Sequence, residues 1–416
     1  MKLRFPIEAP HPARGGCEAG FEPLARRFAA HLAEGDEIGA AVAVYLRGRC
    51  VAHLWGGLAD VATRRPWAPD TRLVVFSVTK GFAAMALHLL AARGQLAWDA
   101  PVASVWPGFA QAGKEAIDLG QLFGHRAGLA AIDTPLTLAD CIDPASRDRV
   151  CAALERQRPA WTPGTAQGYH AITFGLYARE VFERIAGEPI GRFLRRELLE
   201  PLGSDVHLGT PAELDADHAT LYPPSHATRV AGMLAAAASG GSNEARLARA
   251  LLERGSIARR AFSNPGTGPG GIAAYAALPA RRADLPWASA TASADGVARA
   301  YLPFAGGGEH DGRRYFDAAS LHPLHEREGW SERDLVLQKP MGWTRGFLKE
   351  EPDVFSPHTA SFGHPGMGGA LGWADPVAGV TFGYVMNRMD WRVRSPRAKA
   401  LMRALHACEP VMAAGR

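Results

Sequence analysis

Residues 76–94 read Phe76-Ser77-Val78-Thr79-Lys80-Gly81-Phe82-Ala83-Ala84-Met85-Ala86-Leu87-His88-Leu89-Leu90-Ala91-Ala92-Arg93-Gly94. The apolar residues Val78, Phe82, Met85, Leu87, Leu89 and Leu90 fall on nearly every side of a helix, which predicts a buried helix over 77–93. Arg93 and Gly94 supply its stop. Three residues along a helix advance about 4.5 Å and return close to the same face, so the Ser77 hydroxyl and the Lys80 amine lie within reach of each other. A serine becomes a nucleophile only when something takes its proton. A lysine can do so only when burial or a neighbouring cation depresses its pKa. The competing reading makes Ser77 an N-cap and Lys80 a solvated lysine. Against it, an unpaired charge in so apolar a helix is expensive.

Outward from this helix the pattern changes on both sides. Upstream, Phe21, Leu24, Phe28 and Leu32 mark an amphipathic helix over 20–34. Runs 40–46 and 50–55 read as strands joined at Arg47-Gly48-Arg49. Downstream, 95–300 is mainly helical and loop-rich, with helices expected over 172–185 and 190–199. The stretches 204–220 and 255–286 have too little periodicity to assign. Strand character returns at 342–348, 369–374 and 380–386, and 394–407 closes as a helix. The expectation is an α+β fold: an antiparallel sheet flanked by helices and built from both termini, with a mainly helical domain inserted. The domain boundaries expected are 1–76 with 300–416 for the sheet domain and 77–299 for the helical one, the active site lying in the cleft between.

The 416 residues carry 46 basic and 42 acidic side chains, interspersed, and 47% are hydrophobic. No dense basic run points to nucleic acid. Only six of the basic residues are lysines, which makes Lys80 more noticeable. The five cysteines (Cys17, Cys50, Cys141, Cys151 and Cys408) are scattered without a Cys-x-x-Cys pair, which disfavours a disulfide framework or zinc site and fits a reducing compartment. The start, Met1-Lys2-Leu3-Arg4-Phe5-Pro6, has no signal-peptide apolar core, and no apolar run reaches membrane-spanning length. A cytoplasmic, membrane-free protein is expected.

The Ser77-Val78-Thr79-Lys80 tetrad, after a β-hairpin and opening a buried helix, resembles the first motif of the serine β-lactamase and penicillin-binding-protein superfamily. Further landmarks follow in the family's order. Leu122-Phe123-Gly124-His125-Arg126-Ala127-Gly128-Leu129 resembles its Leu-Leu-x-His-x-Ser-Gly-Leu segment. Pro163-Gly164-Thr165-Ala166-Gln167-Gly168-Tyr169-His170 resembles the approach to its tyrosine motif, and Phe193-Leu194 through Glu200-Pro201-Leu202-Gly203 its Phe-Leu…Pro-Leu-Gly helix. Phe362-Gly363-His364-Pro365-Gly366-Met367-Gly368-Gly369 resembles its third motif, where many members carry His before x-Gly. The landmarks span residues 40 to 390.

The resemblance implies that Ser77 is the acyl-accepting nucleophile, Lys80 its general base, and Tyr169 the partner that protonates the leaving group. A phenol with an ordinary pKa of about 10 needs nearby cations for that role, and Lys80 and His364 are the candidates. Gly366 would let substrate approach the backbone, and the N–H groups of Ser77 and Met367 would form an oxyanion hole. No metal or organic cofactor is implied. One departure matters: the tyrosine motif ends in Ala171 where β-lactamases carry Asn, which can hydrogen-bond substrate amides. With the His-x-Gly third motif, this makes the chain most similar to the β-lactamase-like (family VIII type) carboxylesterases and points to a small-molecule ester substrate.

Other readings stay open. A β-lactamase or D-Ala-D-Ala peptidase shares the acylation chemistry, acyl transfer to a small alcohol could replace hydrolysis, and a non-catalytic binding domain could use the same fold. Seen alone, Tyr169 is one of eight tyrosines, His364 a surface histidine and 363–369 a glycine-rich turn. No Gly-x-Ser-x-Gly elbow occurs, and His322-Pro323-Leu324-His325-Glu326 lacks helical ligand spacing.

Overall fold

A computed structural model describes residues 12–238, 240–349 and 354–415. The opening segment Met1 to Pro6 therefore lies outside the described residues. The main sheet contains strands β1 (Arg14–Cys17), β2 (Gly39–Leu46), β3 (Arg49–Asp60), β4 (Gly329–Ser331), β5 (Met341–Thr344), β6 (Phe347–Lys349), β7 (Phe362–Pro365), β8 (Leu371–Asp375) and β9 (Val380–Met386). Their spatial order is β1-β3-β2-β9-β8-β7-β6-β5-β4, every neighbour antiparallel.

The seam between the termini is β2 on β9, in register from Leu46 opposite Val380 to Ala40 opposite Met386. Both strands are buried along nearly their whole length. Such near-continuous apolar runs are what a central strand covered on both faces requires. Helix α1 (Glu22–Ala33) buries Leu24, Phe28 and Leu32 as its periodicity predicts. The expected antiparallel sheet drawn from both ends of the chain is present.

Helix α2 (Val78–Ala92) is buried at every position from Val78 to Leu90. It runs beneath β7 and against helix α3 (Thr173–Ala186), so it has no solvent face to pattern. The helices between α3 and the return to the sheet include α4 (His226–Ala238), α5 (Asn243–Leu252) and α6 (Ile257–Ser263).

Several elements differ from the sequence reading. The single strand expected over 342–348 is the hairpin β5–β6, because Gly346 turns the chain at φ 88°. The helix expected over 190–199 is α-helical only over Ile190–Leu194 and widens to a π turn over Arg195–Leu199, with Leu194, Leu198 and Leu199 all buried. The unassigned 255–286 stretch holds α6, capped by Ser256, whose hydroxyl accepts from the Arg259 N–H at 3.1 Å. It also holds a 3-10 segment, Gly268–Ala276, and a short helix, Leu278–Arg282.

Candidate active site

The chain enters the site at Phe76, a bulky residue held at φ 48°. A left-handed backbone at such a residue costs about 1–2 kcal/mol, and persists here because the Phe76 ring is buried and packs edge-on against Tyr275 at 6.2 Å. This turn sets Ser77 at the start of α2. The Ser77 side chain makes no capping bond to the helix, so the N-cap reading fails and its hydroxyl is left for other partners.

Lys80 is fully buried, with Nζ 3.0 Å from Ser77 Oγ and 3.1 Å from the Trp287 carbonyl oxygen. Among the described residues no carboxylate pairs with it. Burial therefore drives its pKa well below the ordinary lysine range. A neutral amine that donates one N–H to Trp287 can turn its lone pair toward the serine hydroxyl. The Lys80 nitrogen also stands 5.2 Å from the centre of the Tyr169 ring.

Tyr169 is buried, with its hydroxyl close enough to Ser77 to feel it. Burial raises its pKa, and the Ser77 contact and the Arg394 charge pull it partly back. Its position is over-determined. The ring stacks on Trp343 at 5.3 Å with planes 7° apart. Its backbone N–H donates to Asp334 Oδ1 at 3.1 Å, an oxygen that also accepts from the N–H groups of Val336 and Leu337. The next residue, His170, donates its N–H to His125 Nδ1 at 3.0 Å, which places the His125 proton on Nε2. His125 also accepts from the Gly168 N–H through its carbonyl. The landmark histidine thus clamps the tyrosine loop from one side and Asp334 from the other.

His364 sits on β7 with its ring centre 5.9 Å from that of Tyr169. It is buried, and burial, with Lys80 and Arg394 nearby, holds its pKa far below the usual histidine range. That corrects the expectation of cations beside the phenol: His364 is neutral, and Lys80, whose pKa burial also lowers, is an uncharged amine. Its Nδ1 lies 2.8 Å from the Pro365 carbonyl oxygen. Gly366 follows, and a Cβ there would lie 2.3 Å from the Val75 carbonyl oxygen. The glycine lets the backbone pass close to Val75, two residues before Ser77. Met367 and Ser77 both line one cavity of about 450 Å³. Among the described residues neither the Ser77 nor the Met367 backbone N–H donates a hydrogen bond within the protein.

The cavity wall is mainly apolar, including Ile172, Leu247, Phe262, Ile272, Trp287 and Trp391. Ala171, the departure in the tyrosine motif, is part of it. Sequence reasoning missed Trp391, Arg394 and Asp334. None sits in a recognisable pattern, since each reaches the site only through the packing of a distant loop.

A serine hydroxyl, an uncharged amine and a phenol converge beside two unengaged N–H groups at an apolar cavity, and this arrangement suits acyl transfer. The model of the family described as Beta-lactamase matches residues 24–407. The chain belongs to that family. Among family relatives, the esterase/beta-lactamase LipL of Mycobacterium tuberculosis is 33% identical over 383 residues, covering 90% of this chain and 83% of LipL. The crystal structure of a family VIII carboxylesterase superposes with a TM-score of 0.83 at 32% identity, covering 97% of this chain and all of the other. A penicillin-binding-protein homologue from Caulobacter crescentus superposes at 0.81 with 33% identity, over 95% and 99% of the two chains. Membership in the Beta-lactamase family accounts for the order of the landmarks along the sequence.

Proposed function

We propose that the protein is a serine carboxylesterase of the β-lactamase fold that cleaves small carboxylic esters through an acyl-enzyme on Ser77. The observation that carries the reading is Lys80: a fully buried amine with no acidic partner, 3.0 Å from a serine hydroxyl. In acylation the neutral amine takes the Ser77 proton as Oγ attacks the ester carbonyl. The N–H groups of Ser77 and Met367 receive the oxyanion, and Tyr169 delivers a proton to the leaving alkoxide. In deacylation, water repeats the attack, with the Lys80/Tyr169 pair taking its proton and returning one to Ser77. His364 and Gly366 act as scaffold for the strand that faces the nucleophile. On this reading the site lies in the cleft between a sheet lobe (1–76 and 300–416) and a helical lobe (77–299).

Esters are favoured over lactams because Ala171 puts a methyl group where an amide-binding side chain would be needed. LipL carries both esterase and beta-lactamase in its name, and the shared acylation chemistry makes slow lactam cleavage the second reading. Five unpaired cysteines support a reducing compartment, and we place the protein in a bacterial cytoplasm. The test is hydrolysis of p-nitrophenyl acetate and butyrate beside a chromogenic cephalosporin, for wild type and Ser77→Ala. Ester turnover that survives the substitution rules out the nucleophile. Cephalosporin turnover above ester turnover promotes the second reading, and product partitioning toward an added alcohol promotes acyl transfer.

A further inference from the structure

Helix α4 (His226–Ala238) has the wrong side turned to solvent. A surface helix ordinarily shows water its polar face. Here Ala227, Val230, Ala231, Leu234, Ala235 and Ala238 are all exposed, at the spacing that puts them on one outward stripe. Val230 is 38% and Leu234 54% exposed. The opposite face is also occupied: Gly232 lies so close to Trp391 that a Cβ would stand 2.9 Å from the indole, and Met233 lines the cavity that holds Ser77. The helix therefore roofs the cavity with one apolar face and offers another to the outside.

The charge around this roof identifies what it faces. Residues 225–263 contain six arginines (229, 246, 249, 254, 259 and 260) against Glu244 and Glu253. That excess of four equals the formal net charge of the entire chain, +4, so the rest of the protein is neutral in sum. Arg229, Arg254 and Arg259 are exposed, and among the described residues none of them has a carboxylate within ion-pair distance. Arg229 and Arg259 stand at the cavity rim. A second copy of the chain docking face to face would press two such cationic segments together. An anionic lipid surface would neutralise them while taking up the apolar stripe.

We propose that α4 and its arginine-rich neighbours dock on an anionic lipid surface, so that the cavity opens against the lipid. Given the esterase reading above, apolar esters dissolved in that surface would be its substrates. At 13 residues α4 lies on the membrane and does not cross it. The docking itself does not depend on catalysis, and its test is read on the protein alone.

The probe is flotation of the Ser77→Ala protein with vesicles of equal parts phosphatidylglycerol and phosphatidylcholine, against vesicles of pure phosphatidylcholine. We expect flotation with the anionic vesicles only, lost at ~0.5 M salt. Val230→Glu/Leu234→Glu should lower the bound fraction about tenfold. In the background that keeps Ser77, the same pair should leave the thermal melt and vesicle-free p-nitrophenyl acetate turnover unchanged, since neither side chain lines the cavity. Failure to float with anionic vesicles overturns the proposal, as does equal binding to both vesicle types. A dimer in vesicle-free buffer that the double variant splits also overturns it, by giving the face to a second copy. Loss of ester turnover with normal flotation would strike only the esterase reading.

Discussion

Replacing Lys80 with methionine separates its two consequences, one for catalysis and one for stability. Methionine fills nearly the same volume in the same apolar helix, so it leaves no large cavity and no unpaired charge. It removes the amine 3.0 Å from Ser77 Oγ, and no other basic nitrogen of the described chain bonds to that hydroxyl. General-base catalysis contributes about 10²- to 10⁴-fold, so kcat/KM for p-nitrophenyl butyrate should fall by that factor, about 3–5 kcal/mol of transition-state stabilisation.

Stability should move the other way. Burial lowers the Lys80 pKa in the folded protein below its ordinary 10.5. The unfolded chain therefore binds more protons between those two values, and stability contributed by this site rises with pH across that window. Below the window the wild type carries the full penalty, while the methionine variant carries none. Losing the Trp287 hydrogen-bond partner costs about 1 kcal/mol in return. We expect Lys80→Met to unfold in urea no more easily than wild type at pH 7, with its advantage shrinking toward pH 10. A variant that keeps more than about a tenth of wild-type kcat/KM, or whose advantage grows with pH, would refute the reasoning.

Tyr169→Phe keeps the ring on Trp343 and deletes only the hydroxyl; ester turnover should drop about 10²-fold or more with an unchanged melting temperature. Asp334→Ala strips the acceptor from three buried N–H groups, those of Tyr169, Val336 and Leu337. At about 1–3 kcal/mol for each orphaned donor, urea unfolding should show a loss of about 3 kcal/mol or more, and Asp334→Asn should restore most of it. Gly366→Ala drives a methyl group to 2.3 Å from the Val75 carbonyl. It should destabilise by about 1–3 kcal/mol and lower kcat by more than that loss of stability explains, because Val75 leads directly into Ser77.

Legibility differed with the range of the signal. The tetrad at Ser77 and the buried helix behind it were readable because a 3.6-residue period fixes which side chains meet within one turn. The strands 40–46 and 380–386 were readable from their apolar runs, but their pairing is a contact across more than 330 residues and followed only from topology. Helix α4 has its polar side chains, His226, Thr228 and Arg229, in its first turn, and which of its apolar sides meets solvent is decided by packing against Trp391. Gly366 also packs close to the Val75 carbonyl, a contact between segments almost 300 residues apart that no local pattern announces. His364 was read as a cation, and only its burial beside Lys80 and Arg394 makes it neutral.

The order of motifs alone pointed to the family, and the sequence alone brought Ser77 and Lys80 together, since one helical turn does so whatever surrounds them. Folding decided their chemistry. Whether the amine is charged, whether the phenol reaches the serine and whether two N–H groups stay unengaged all depend on water being excluded by residues such as Trp287, Trp343 and Asp334. Desolvation is a property of the packed interior, and no short stretch of sequence carries it.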